Sequence, residues 1–346
     1  MARLPEGGMS RRDKFKIAAL VVFVLAIPAA IVLPWLHAHL EDFFSGARAQ
    51  LFGQVFVAIL LEAFPFVLIG ASISGLVEVL LPPERLARLI PKRLLWRLLL
   101  AAGAGVVLPV CECGIVPVAR RLVRKGLPLE MAIVFMLAGP IVNPTVIAST
   151  AVAFAGQGLS LEMAVARVVC GVAVALVVGL VAYRWFRRRS AGVPHDAAAV
   201  DGHEAGPHRS MLTNILTHIV HDFLLLGGYL LLGSLLAAGL QAFVPRTWLV
   251  PIGKTPVAST AGMMLMAFLL NVCSEADAFL AAAFAQFSFA GRLGFLVFGP
   301  MLDVKLVAMY LGAFPKRMLV TVLILVPPLV LVVCELAGLV YTVLAG

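Results

Sequence analysis

The chain has 346 residues, 62% hydrophobic and 13% charged, with a formal net charge of +9 and a mean hydropathy of +1.04. No ordinary soluble domain buries that much apolar surface, so the composition points to an all-α polytopic membrane protein. The basic excess does not signal nucleic acid, because Lys and Arg are gathered in short stretches between apolar runs, as orientation across a bilayer requires.

Arg11, Arg12, Lys14 and Lys16 precede a first apolar run, 17–36. It is too long for a signal-peptide core and no clear small-residue cleavage site follows, so an uncleaved span with a cytoplasmic N-terminus is expected. Residues 1–49 are thus read as tail, first helix and external loop. Apolar segments follow at 51–81, 94–119, 129–155 and 161–186, then at 211–243, 257–288, 291–313 and 318–344. They define a first repeat over 50–186 and a second over 211–346, joined by a hydrophilic linker, 187–210. His195, Asp196, Asp201, His203, Glu204 and His208 stand in that linker without a ligand spacing, which reads as a solvated cytoplasmic connector.

If every segment crosses, the chain has nine spans and a parallel repeat, and the clusters Arg120-Arg121-Arg124-Lys125 and Arg187-Arg188-Arg189 both face outward. Pro109, Gly114 and Pro117 argue otherwise, since they interrupt the helical ladder within 94–119. A re-entrant hairpin there, and its counterpart in 257–288, brings both clusters to the cytoplasm and leaves three crossings in each half. The halves are then inverted relative to each other, the arrangement favoured by the positive-inside rule.

Glu62, Cys111, Gly139-Pro140 and Asn143 recur as Asp222, Cys273, Gly299-Pro300 and Asp303, offset by 160 to 162 residues. Polar and helix-breaking residues at matched places in two apolar halves mark a central transport site. Cys111, Glu112 and Cys113 in one half, and Cys273, Glu275 and Asp277 in the other, supply thiols and carboxylates. Three sulfurs suit a soft ion such as Zn(II), Cu(I) or trivalent arsenic, so Cys111, Cys113 and Cys273 are the candidate ligands of a transported ion. Gly139-Pro140 and Gly299-Pro300 are expected to open the helices, with Asn143 and Asp303 about one turn on, facing the same gap as further substrate contacts. Glu62, Asp222 and Asp303 are candidates for ion coupling, with His218 and His221 beside Asp222. Cys170 and Cys334 read as packing residues, as do Met263, Met264 and Met266. No nucleotide-binding motif and no resident cofactor is indicated.

The run from Cys111-Glu112-Cys113-Gly114 to Pro117, the following Arg124-Lys125-Gly126, and Gly139-Pro140-x-x-Asn143-Pro144 resemble the predicted permease family that includes ArsP and YraQ. Asn271-Val272-Cys273-Ser274-Glu275-Ala276-Asp277 and Gly299-Pro300-Met301-x-Asp303 resemble its second-half motifs. The resemblance runs from about residue 50 to the C-terminus. It implies export of trivalent organoarsenicals for ArsP-type members and copper or zinc handling for others. Cys-Glu-Cys-Gly, in place of Ser- or Cys-rich variants, is most similar to the branch that works as the permease subunit of a two-component system with a smaller membrane partner. The sequence thus reads as a secondary permease for a small thiophilic metal ion or metalloid, working in efflux, with a companion subunit and a homodimer as candidate partners. The alternative is a thiol-based metal or redox sensor acting with a partner protein. An enzyme is not expected, because no His stands where it would activate a thiol.

Overall fold

The computed structural model describes residues 46–80, 82–108, 110–189, 211–243 and 256–345. The first apolar run, nearly all of the linker and Pro109 lie outside the described residues. Thirteen helices account for the described chain: α1 (Ala47–Leu80), α2 (Pro83–Leu89), α3 (Leu94–Val107), α4 (Glu112–Arg124), α5 (Leu129–Val142), α6 (Pro144–Ala155), α7 (Ser160–Arg189), α8 (Met211–Phe243), α9 (Pro256–Leu270), α10 (Asp277–Ala283), α11 (Phe289–Phe298), α12 (Val304–Ala313) and α13 (Lys316–Ala345). No strand occurs among the described residues.

Long apolar helices frame each half. α1, α7, α8 and α13 each contain a stretch of 27 to 30 residues long and apolar enough to cross a bilayer. At about 1.5 Å per residue such a stretch reaches some 40 Å, ample for a hydrocarbon core about 30 Å thick. α5 and α6, bent by 41° at their junction, form a fifth candidate span. Leu61, Leu68 and Leu76 on α1, Leu231 and Leu235 on α8, and Leu336 and Leu339 on α13 are exposed. Apolar faces of this extent suit lipid. Between the long helices lie short ones of 7 to 15 residues.

α5 and α11 form the interior. Every residue of α5 from Glu130 to Val142, and of α11 from Ala290 to Phe298, is buried. A helix that is apolar on all sides has to be covered on all sides. α3 and α7 cover α5, while α9 and α13 cover α11, and α7 packs against α13. The short helices then interlock across the halves, α4 against α12 and α10 against α6.

The breaks fall partly where the sequence places them. α3 ends at Val107 and α4 begins at Glu112, and α9 ends at Leu270 with α10 resuming at Asp277. Asn271 takes a left-handed φ of 52°, which an Asn tolerates, and its amide donates to the Phe268 and Leu269 carbonyls at the end of α9. Gly299 and Pro300 lie in the turn between α11 and α12. Three other expectations are corrected. Gly114 and Pro117 sit inside α4, and Gly139 and Pro140 inside α5, so none of them breaks its helix. The second break of the first half comes at Asn143, whose ψ of 126° fits a residue held out of the helical region by the proline that follows.

Gly114 and Gly139 serve close packing instead. Gly70 on α1 meets the backbone of Gly114, and Gly105 on α3 meets that of Gly139, so tightly that a Cβ on Gly70 or Gly105 would overlap backbone atoms. Small residues of this kind let membrane helices approach each other.

Candidate functional site

The first break of each half leads to the same place. Cys111 ends the first break at the N-cap of α4, and Glu112 opens the helix with its carboxylate only 1% exposed. Ser274 lies in the facing break of the second half and donates its hydroxyl to Glu112 Oε2 at 2.9 Å. Lys305, in the first turn of α12, places Nζ 3.2 Å from Glu112 Oε1. The same ammonium donates to the Asn271 carbonyl at 3.2 Å and lies 3.6 Å from Asp303 Oδ2. Asn271 Oδ1 accepts the Lys305 backbone N–H at 3.0 Å. Lys305 is 1% exposed, a fully buried cation beside Asp303. A charge there is held only by its partners.

The thiols surround this pair. Cys111 and Cys113 are buried and within hydrogen-bond reach of each other, and Lys305 lies close to Cys113. Cys273 is half-buried and within reach of the Glu62 and Glu275 carboxylates. Glu62, from α1, is thereby brought to the second-half break. Among the described residues no three His, Cys, Asp or Glu side chains are grouped so as to hold a metal ion. The thiols form a pair plus one, not a closed cage.

Asn143 and Asp303 play matching local roles. Asn143 Oδ1 accepts the Thr145 N–H at 3.0 Å, and Asp303 Oδ1 accepts the Leu306 N–H at 2.6 Å. Each side chain caps the helix that resumes after the second break. Asp303 goes further, since its other oxygen faces Lys305.

Asp222 stands 3.6 Å from His221 Nδ1, the neighbour expected from the sequence, and has further partners from other helices. Its Oδ2 receives Arg121 Nη2 at 2.7 Å and the Ser74 hydroxyl at 2.8 Å, while Arg120 Nη1 stands 3.6 Å from Oδ1. Arg121 also approaches Glu78 at 3.5 Å. Arg120 and Arg121 are buried on the last turns of α4, where these acids from α1 and α8 pair with them. Cys170 and Cys334 are buried within the apolar core, as are Met263 and Met264.

The sequence reading also passed over Arg167. It is 0% exposed, about two turns into α7, and binds Asp277 Oδ2 at 2.7 Å, the Thr150 hydroxyl at 2.8 Å and the Ser274 carbonyl at 3.2 Å. A lone arginine in an apolar helix was the available signal, and the cost of burying it unpaired requires a partner.

Comparison with known proteins decides the family. The sequence model of the ArsP_1 predicted permeases matches residues 48–343. The chain belongs to this permease family. Over 268 residues the permease is 39% identical to UPF0718 protein YcgR of Bacillus subtilis (strain 168), covering 76% of this chain and 89% of that one. It is also 32% identical over 289 residues to a putative two-component membrane permease complex subunit of Streptococcus mutans serotype c (strain ATCC 700610 / UA159). That match covers 82% of this chain and 94% of the relative. No solved structure matches the permease.

Proposed function

We propose that this membrane permease is a secondary transporter that carries a small thiophilic metal ion or metalloid through the region where the two first breaks meet. The observation behind this reading is the Cys111–Cys113 pair beside the Glu112–Lys305 ion pair, with Cys273 in the facing break. Soft ions prefer thiolate ligands. A pair plus one is an incomplete ligand set, which suits a site that must release what it binds. Cys111, Cys113 and Cys273 are the proposed ligands, with Glu112, Glu275 and Asn143 lining the path. Broken helices meeting between two halves are also the common frame for alternating access.

We assign the two halves opposite orientations, with the linker cytoplasmic, on the charge distribution given above. Efflux is the direction that the family resemblance implies. A companion subunit is proposed because the Streptococcus relative is named as one subunit of a permease complex.

The test is transport and binding together. Purified permease is exposed to Zn(II), Cu(I) and arsenite, and bound elements are counted by mass spectrometry, beside flux of the same ions in proteoliposomes. The reading expects one of them to bind and move, and both to be lost in a Cys111→Ser/Cys273→Ser double variant. Equal binding and flux in the variant would overturn the thiol site.

A further inference from the structure

Away from the thiols, the chain before the linker and the chain after it are fastened together at two places. One is the end of α4. Asp222 of α8, 2% exposed, accepts Arg121 Nη2 from α4 and the Ser74 hydroxyl from α1, at 2.7 and 2.8 Å. Glu78 of α1 stands 3.5 Å from Arg121 and 3.6 Å from Lys125, which ties the last turn of α1 into the same knot. The other place is the turn between α6 and α7. Gln157 Oε1 accepts Arg292 Nη1 from α11 at 2.6 Å, and Gln157 Nε2 donates to the Ala282 carbonyl of α10 at 2.8 Å. The Arg292 guanidinium also lies over the Phe154 ring of α6, 5.5 Å from its centroid.

The two fastenings lie toward opposite ends of α7. A Cβ at Gly171 would overlap Ile141, and one at Gly179 would overlap Val134, so α5 and α7 run antiparallel. α5 therefore starts beside the C-terminal half of α7. Arg121 lies near that start, because only four residues separate Arg124 from Leu129. Gln157 lies three residues before α7 begins at Ser160. Ser160 and Gly179 are 19 residues apart, about 28 Å along a helix, close to the thickness of a hydrocarbon core. The thiols are held between the two ends. α4 leads from Cys111 to Arg121, about 15 Å away, and α10 leads from the Cys273 break to Ala282.

We propose that these two fastenings are the gates of the permease, and that parting one while the other holds opens the thiol region to one side of the membrane. This rests on the transporter reading above. Each gate joins an element before the linker to elements after it, as a hinge between two bodies requires. Arg121 keeps Glu78 when Asp222 departs, and Asp222 keeps His221, 3.6 Å away. Gln157 is exposed, so its amide regains water when Arg292 and Ala282 move off. Water entering an opened end replaces the partner each group loses. Parting then costs the difference between two sets of hydrogen bonds and not a bare charge.

Sided thiol labelling tests the gates without any transported ion. A charged, membrane-impermeant methanethiosulfonate is applied to either face of sealed vesicles holding the full-length permease. Modification of Cys111, 2% exposed, is followed by mass spectrometry of its peptide. A cysteine introduced at Ser190 identifies the linker side, which is the Asp222 end because the linker follows α7. Asp222→Ala is expected to raise the rate at Cys111 about tenfold from the linker side alone, and Gln157→Ala about tenfold from the opposite side alone. Cys170 and Cys334, buried in the apolar core, should stay unmodified and so report that the fold is kept. If Asp222→Ala fails to fold, Ser74→Ala removes one hydrogen bond without stranding a charge, and should raise the rate from the linker side about threefold. A rate raised from both sides, raised from the wrong side, or unchanged in a folded variant overturns the proposal. Failure of Zn(II), Cu(I) and arsenite to move through the unmodified permease would count against the substrate reading, and the sided rates would still decide the gates.

Discussion

Lys305 Nζ and Glu112 Oε1 stand 3.2 Å apart across the boundary between the two halves of the permease. The pair joins α4 to α12 where neither side chain meets water. Removing one partner leaves the other charged and uncompensated, which costs about 3–5 kcal/mol for a buried pair. Lys305→Met and Glu112→Gln are each expected to lower stability by about that amount. The double variant should recover part of the loss, because Glu112 no longer needs a counterion while Asp303 still lacks its own. Unfolding of the detergent-solubilised permease measures the cycle, and additive losses would contradict the pairing.

Two glycines of α3, two residues apart and so on different faces, should behave oppositely. A Cβ at Gly105 would overlap the backbone of Gly139, whereas one at Gly103 meets nothing within 4 Å. Gly105→Ala is therefore expected to destabilise by about 1–3 kcal/mol through overpacking. Gly103→Ala should stabilise by up to about 1 kcal/mol through better helix propensity. Thermal unfolding of the two variants side by side checks the contrast.

How much of this architecture was legible in the sequence depends on the kind of signal. Proline, glycine and polar residues inside apolar runs announced the breaks at 108–111 and 271–276, because they interrupt a pattern that is otherwise continuous. The exact positions were less legible. Gly114 and Gly139 look like breakers but are contact residues, since a glycine reads the same whether it frees the backbone or admits a neighbour. Pairings across the halves were not legible at all. Arg167 looks isolated in its own segment, and Glu112 reaches Lys305, and Arg121 reaches Asp222, only through the packing of α4 on α12 and on α8.

Thiol reactivity offers a separate check. Cys273 is half-buried, while Cys111 and Cys113 are each 2% exposed. A small alkylating reagent should modify Cys273 first in the folded permease, by about tenfold or more in rate, because attack needs an accessible thiolate. Mass spectrometry of time points resolves the order. Equal rates at all three positions would mean that the central region is open to water.

Orientation can be read by labelling. A cysteine introduced in the linker at Ser190 is expected to react with an impermeant reagent only from the cytoplasmic side, and one at Gly346 only from outside. Labelling of both from one side would overturn the inverted arrangement.

Glu112 and Ser274 stand at equivalent positions, 162 residues apart, and touch one another. A homodimer of first halves would bring Glu112 against Glu112. Its α6 would present Thr145, the residue 160 positions before Lys305, where the ammonium is needed. Two like charges would then face each other without a counterion. A homodimer of second halves would face two hydroxyls and leave each Lys305 without Glu112. In this chain Glu112 comes from the first half while Ser274 and Lys305 come from the second, so the contact that joins them needs both halves.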